Sequence, residues 1–302
     1  MHPTKKISAT LVSSSILLGL FGWLLPVSPD VELNKEIYWL RKTFSQEKYN
    51  IVIGGDSRVH RGLSPDDLLL QVNEASNAIN LGYSSAGYSK DYCSFLLSKL
   101  NKEGNTKALI LGLTPHSFTP DALENGHFHE VLYTSTADMQ KALYLEPFLQ
   151  FFEPRKISLL FRSTDYQVNG YLEKFHDNGW VESDNLKTDS TRAIKSYSKV
   201  FIDNTVNDAA VNDFIVWVDS LSKENIAVLG YRPPTTVTMR SLEDSVSGYN
   251  ETAIRNAFEA SGGQWIDFKD NDFESYDGSH LRAKDARHLS KDIGIEIQGL
   301  LK

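Results

Sequence analysis

Two short stretches of this chain hold residue types that can do covalent chemistry together. The first, Gly54-Gly55-Asp56-Ser57-Arg58, closes an apolar run rich in β-branched residues, which puts the Ser57 hydroxyl in a glycine-permissive turn at the carboxyl end of a strand. A serine is a poor nucleophile until a base takes its proton, and that base is commonly a histidine oriented by an acid. The second stretch, Tyr276-Asp277-Gly278-Ser279-His280-Leu281, offers an Asp-x-x-His pair in a Gly/Ser turn between a strand and the last helix. In an open sheet both stretches emerge at the same edge, so the topology is expected to bring Asp277 and His280 to Ser57.

Other candidates carry weaker patterns. Asp285-Ala286-Arg287-His288 repeats the Asp-x-x-His spacing but falls inside a helical pattern, where Asp285 and His288 make an ordinary surface i,i+3 pair. His127-Phe128-His129 would put two imidazoles on one side of a strand as metal ligands, yet no third ligand accompanies them, so exposed loop histidines and no metal are expected. Arg232, in Gly230-Tyr231-Arg232-Pro233-Pro234, also reaches the strand edge, where it holds an anionic substrate group or loop carbonyls. Trp180 either stacks on a sugar ring or packs a local core.

The elements that must position these groups are readable from periodicity. Short buried strands are expected at residues 49–55, 78–82, 107–113, 225–231 and 264–268, separated mostly by helical stretches. Ser64-Pro65-Asp66-Asp67 is a helix start, with a cap, a proline at the first position and acids in the first turn. Residues 31–46, 91–100, 249–260 and 285–301 read as helices, and Val211, Phe214, Ile215, Val218 and Leu221 form one apolar stripe. Strand and helix in alternation imply an α/β three-layer sandwich around a five-stranded parallel sheet. The segment at about 116–200 breaks the rhythm, with aromatics at Phe148, Phe151 and Phe152, a Pro154-Arg155-Lys156 interruption and no clear strand; it reads as an inserted lid.

The two blocks, in this order and spacing, resemble the SGNH, or GDSL-like, hydrolase and acyltransferase superfamily, whose first block is Gly-Asp-Ser and whose last is Asp-x-x-His. The resemblance runs from about Asn50 to the C-terminus with the insertion unmatched, and the Tyr-Asp-Gly-Ser-His-Leu form looks like the branch that acylates cell-envelope polysaccharides. It implies Ser57 as nucleophile, His280 as general base and Asp277 as its orienting partner, with no cofactor. It also implies an oxyanion hole from the Ser57 backbone N–H and a glycine N–H after the second strand, which falls on Gly87 rather than Gly82 because Gly87 precedes a helix. The family's third block, Gly-x-Asn-Asp, is replaced by Leu111-Gly112-Leu113-Thr114-Pro115, so Thr114 is the candidate third donor. Loss of one such donor costs roughly 10² to 10³ in rate, which weakens a fast hydrolase more than a slow transferase.

The resemblance further implies a polysaccharide or glycan acceptor, an acetyl group as the acyl unit and a membrane-bound O-acyltransferase as partner. The alternatives are a secreted carbohydrate esterase with water as acceptor, and a non-catalytic glycan-binding or assembly protein of the same fold.

Charge and the N-terminus bound the setting. With 31 Lys and Arg against 39 Asp and Glu, the net charge of -8 makes nucleic acid a poor partner. A single cysteine, Cys93, excludes an intramolecular disulfide and a cysteine-rich zinc site. Lys5 and Lys6 precede residues 7–27, which carry no charge. At about 1.5 Å per residue such a helix would just cross a core of about 30 Å, so a signal anchor is expected, or a signal peptide if it is cleaved. The expected organisation is therefore residues 1–28 as anchor or signal, 29–48 as connector and 49–302 as catalytic domain. The domain would lie on the extracytoplasmic side of a bacterial cell envelope.

Overall fold

The computed structural model describes residues 3–24, 31–104, 106–146, 149 and 170–301. Among them the chain forms seven strands: β1 (Ile51–Gly54), β2 (Ala78–Asn80), β3 (Ala108–Gly112), β4 (Tyr171–Phe175), β5 (Val181–Asn185), β6 (Ala227–Tyr231) and β7 (Gln264–Ile266). Five of them build one parallel sheet in the order β2-β1-β3-β6-β7. Every residue of β1 and β3 is buried, as a parallel sheet covered on both faces requires.

Period-two alternation assigns the two faces. Ile51, Ile53, Ala108, Ile110, Leu229 and Tyr231 pack in one core with Val59, Leu68, Leu289, Ile293 and Ile297, which come from the helices Ser57–Gly62, Pro65–Leu69 and Ala283–Leu300, and with Leu63, the C-cap of the first. On the other face a Cβ at Gly54 would meet Leu96, and one at Gly230 would meet Phe258, so the helices Lys90–Lys99 and Glu251–Ala260 lie close against the strands. The arrangement is an α/β fold consistent with a three-layer sandwich.

The last helix explains how a turn following β7 can reach β1. Ala283–Leu300 packs on Pro65–Leu69 so closely that a Cβ at Gly294 would stand 2.5 Å from the Leu68 carbonyl oxygen. Its N-terminal end is thus drawn back across the sheet toward the chain that leaves β1, carrying the preceding turn with it.

One expectation needs correction, and one is without support among the described residues. The segment read as having no strand contains β4 and β5, an antiparallel hairpin pairing Tyr171 with Asn185 and Phe175 with Val181. Glu and Lys within β4 and Glu and Asp within β5 dilute the apolar signal. The N-terminal helix forms at Pro3–Leu24, but no helix among the described residues is long and apolar enough to cross a membrane.

By backbone contacts the chain divides into two units, residues 1–43 with 133–166, and 44–132 with 167–302. In the first, Pro3–Leu24 is joined by most of the helix Val31–Phe44 and by Thr136–Gln140, which continues into a π-helical turn at Lys141–Leu145. Phe148, Phe151, Phe152 and Pro154-Arg155-Lys156 lie outside the described residues. The second unit contains the sheet and every candidate site residue.

Candidate active site

The Ser57 turn is built by close backbone approach. After β1, Gly55 adopts φ +149, and a Cβ there would stand 2.3 Å from Val59 Cγ2 and 3.0 Å from the Gly112 carbonyl oxygen, so only glycine fits. Asp56 then caps the helix Ser57–Gly62, accepting from the Arg58 N–H at 2.9 Å. Two buried tyrosines hold the strand end from below. Tyr92 Oη accepts from the Gly55 N–H at 2.9 Å and donates to Leu81 O at 2.9 Å, and the Tyr88 hydroxyl bridges Gly54 O at 3.1 Å and Gly112 O at 3.0 Å. Ser57 therefore stands at the first helical position on a fixed base, at the β1/β3 point where strand order reverses and sheets of this type bind ligands.

The second turn is equally fixed. Asp277 Oδ1 accepts from the Ser279 and His280 N–H groups at 2.9 and 2.8 Å, and Oδ2 accepts from His280 Nδ1 at 2.8 Å. With its proton on Nδ1, the imidazole presents a bare Nε2, and Ser57 Oγ donates to it at 2.9 Å. Burial alone would raise the Asp277 pKa, but the hydrogen bond and charge of His280 and the two backbone N–H groups outweigh it and bring it down to about 2. His280 is lowered from its ordinary value, first by burial and then by Arg61 and Arg58, against the opposing pull of Asp277. The result is an ionised carboxylate and a neutral imidazole at neutral pH.

Residues before and within the helix Arg192–Val200 clamp this turn. The Asp189 N–H donates to Tyr276 O at 3.0 Å and the Ala193 N–H to Asp277 O at 3.1 Å. Gly278, at φ +96, faces Ser190 O, which a Cβ would approach to 2.2 Å. The Tyr276 ring stacks on the His280 ring at 5.9 Å with an angle of 19° between planes. The stretch read as a lid is thus, in this part, a support for the Asp277 turn.

The oxyanion donors come out differently. Gly87 has its N–H engaged by Ala122 O at 3.0 Å and Asn125 Oδ1 at 2.9 Å, so it is not free to face Ser57. Thr114 donates its hydroxyl to Asp56 Oδ2 at 2.7 Å, which spends the proton an oxyanion would need. The Ser57 N–H remains, at the first turn of a helix where N–H groups lack intrahelical partners.

Sequence reasoning passed over four residues around this site. Arg58, Ser279 and Glu243, all buried, form one hydrogen-bonded group with the half-buried Tyr197 beside the triad, and the only signal available was that Arg58 follows Ser57 and Ser279 precedes His280. His116 also lies close to this charged group; burial lowers its pKa, with Asp56 opposing and Arg58 reinforcing, and its Nδ1 is 3.2 Å from Thr119 Oγ1.

The remaining candidates are placed away from chemistry. Arg232, 4% exposed, is consumed by Glu251 at 2.6 Å, Asp244 at 2.8 Å and Glu243 at 3.3 Å, and stacks on Tyr249; it has no arm left for a substrate anion. Trp180, 1% exposed, donates Nε1–H to Arg61 O at 2.9 Å and is covered by Arg287, so no sugar can stack on it. His127 and His129 sit on the helix Gly126–Leu132 rather than a strand, with His129 3.5 Å from Asp91. His288 pairs with Asp292 at 3.5 Å, an i,i+4 contact, instead of with Asp285.

No family model and no curated protein matches the chain. A solved structure from Streptococcus pneumonia, provisionally named a platelet activating factor, is similar over 93% of this chain and 99% of its own, at 12% identity and a TM-score of 0.39. Likeness at that level says nothing of activity, which rests on the geometry.

Proposed function

We propose that the chain is a serine-dependent acyl ester hydrolase or transferase working through an acyl-Ser57 intermediate. One observation carries the reading: the unbroken line from Ser57 Oγ to His280 Nε2 at 2.9 Å and from His280 Nδ1 to Asp277 Oδ2 at 2.8 Å. In the first half-reaction Ser57 Oγ bonds to the acyl carbon while its proton passes to Nε2, and Asp277 steadies the imidazolium. The tetrahedral oxyanion receives the Ser57 N–H. Collapse breaks the bond to the leaving alcohol or thiol, which departs with the proton from Nε2. In the second half an acceptor hydroxyl gives its proton to Nε2, attacks the acyl-Ser57 carbonyl, and Ser57 regains its proton as it leaves.

The acceptor we propose is a sugar hydroxyl of an exported glycan, with acetyl as the group carried. The Tyr276-Asp277-Gly278-Ser279-His280-Leu281 form supports this choice. Export is supported by the charge-free stretch behind Lys5 and Lys6, whose apolar part suits a signal-peptide core. A membrane-bound acyl donor partner follows from the same resemblance. Water as acceptor is the same chemistry, and one experiment separates the two. The full chain is incubated with p-nitrophenyl acetate, with and without a hydroxyl-rich oligosaccharide, and followed by mass spectrometry. Acetyl on Ser57 and then on sugar supports transfer; acetyl on Ser57 released only to water supports hydrolysis. An enzyme that releases nitrophenol with Ser57 never acetylated overturns the reading.

A further inference from the structure

Ser57 and His280 each have a neighbour in sequence that belongs to a second, buried hydrogen-bond system. Arg58 follows Ser57 and Ser279 precedes His280, and Arg58 Nε donates to Ser279 Oγ at 2.9 Å. The other two guanidinium nitrogens clasp Glu243, Nη2 to Oε1 at 2.6 Å and Nη1 to Oε2 at 3.2 Å. The Ser279 hydroxyl in turn donates a hydrogen bond to Tyr197 Oη at 3.1 Å, and the guanidinium lies 5.0 Å from the centre of the Tyr197 ring. The Arg58 and Glu243 side chains are 2% and 0% exposed. We infer that Glu243 is a positioning residue for the Ser57–His280 pair, acting through Arg58 and Ser279. The inference rests on the acyl-transfer reading of Ser57 for its kinetic consequence, though the geometry it describes does not.

The physical case is one of direction. A buried ion pair is weak evidence for stability, since a well-packed apolar pair of the same volume does as well or better. What an apolar pair cannot do is aim. The planar guanidinium held bidentately by a carboxylate has no rotation left, so its third N–H direction is set, and that direction is Ser279 Oγ. Glu243 is itself braced from behind by Arg232 Nη2 at 3.3 Å, which is anchored on Glu251 and Asp244. Glu243 belongs to the helix Val237–Val246, whose cap, Thr236, donates both its N–H and its hydroxyl to Gly278 O at 3.1 Å. One helix therefore holds the nucleophile turn through Arg58 and the base turn through Ser279 and Gly278. Displacement of a reacting group by about 1 Å costs up to about 10²-fold in rate, so a link one residue away on each side acts where error is most expensive.

The experiment compares the full-length chain with Ser279→Ala and Glu243→Gln. Ser279→Ala is the decisive variant, because it removes the Nε acceptor yet leaves the Arg58–Glu243 pair and both backbone bonds to Asp277 in place. Activity on p-nitrophenyl acetate gives kcat and KM, and the low-field proton resonance of His280 Nδ1–H reports the imidazole independently of turnover. The expected result is a fall in kcat of about 10- to 100-fold with KM within about threefold. The resonance should shift or broaden, melting should stay within a few degrees for Ser279→Ala, and Ser279→Thr, which keeps the hydroxyl, should recover part of kcat. Wild-type kcat and an unchanged resonance in folded Ser279→Ala or in folded Glu243→Gln overturn the inference while leaving Ser57 acylation intact. A perturbed resonance in a protein whose Ser57 never acylates overturns the acyl-transfer reading and leaves the positioning role standing.

Discussion

Asp56 Oδ2 accepts the Thr114 hydroxyl at 2.7 Å while Asp56 Oδ1 accepts the Arg58 N–H at 2.9 Å. The residue before Ser57 is thereby tied both to the chain leaving β3 and to its own helix. Thr114 serves the turn and not the oxyanion, and Thr114→Val tests the difference. The variant should lose about 1–3 kcal/mol in urea unfolding, because a buried carboxylate oxygen is left short of its donor. Its kcat on an activated ester should fall less than about tenfold, where loss of an oxyanion donor would cost roughly 10² to 10³.

Ser57→Ala should abolish acyl transfer, by about 10³-fold or more, with little change in melting temperature, since the lost group is a half-buried hydroxyl bonded to the imidazole. Asp277→Asn should lose a similar factor through the wrong imidazole tautomer. Steady-state kinetics and circular dichroism decide this; a fully active Ser57→Ala moves the nucleophile elsewhere.

The pH profile follows from signs. His280 accepts the Ser57 proton only when Nε2 is bare, and burial, with Arg61 and Arg58, lowers its pKa below 6.5. The acid limb of kcat/KM should therefore have its midpoint below 6.5, leaving activity full at neutrality. Stability runs the same way. Protonating His280 is harder in the fold than in the unfolded chain, so its contribution is lost as pH falls below 6.5. Asp277, brought from 3.8 to about 2, contributes stability that is present above 3.8 and lost as pH falls toward 2. Acid titration of Asp277→Asn should lack that second component.

Arg232→Met separates an ion-pair brace from a substrate clamp. Removing the cation leaves the fully buried Glu243 with one arginine partner, Arg58, in place of two, and should cost about 1–3 kcal/mol by chemical unfolding. The KM ratio between an anionic and a neutral ester should not move; a selective rise in KM for the anionic ester would restore Arg232 as a substrate contact.

Gly278→Ala should be worse than a methyl group suggests. Its φ of +96 is strained for any side chain, and the added carbon would meet Ser190 O at 2.2 Å. Loss of about 1–3 kcal/mol with a fall in kcat is expected, measured by thermal melts and ester turnover.

How much of this was legible depends on the range of the interaction. The strands were, because residues buried on both faces form unmistakable apolar runs: 107–113 is observed as Ala108–Gly112, and 49–55 as Ile51–Gly54 with Tyr49 reduced to an isolated bridge to Leu100. The last helix was, since its apolar stripe is periodic over Ala283–Leu300. The proximity of Ser57, Asp277 and His280 followed from which turns close which strands. What escaped was set by partners far off in sequence. Nothing near Gly87 announces that Ala122 and Asn125 will take its N–H. Arg58 and Glu243 are 185 residues apart, and no local pattern pairs them. The β4–β5 hairpin was hidden by its charges, which are spent on pairs such as Arg61 with Glu173 and Arg282 with Asp184.

The separation of 223 positions from Ser57 to His280 also imposes an order in time. Translation delivers the Ser57 hydroxyl well before the imidazole it pairs with. Contacts of such separation close late in folding, after the loop entropy between them has been overcome. Until they close, Ser57 is an alcohol without its base, a poor nucleophile, and the docking of the helix Ala283–Leu300 sets the turn that brings His280 to it.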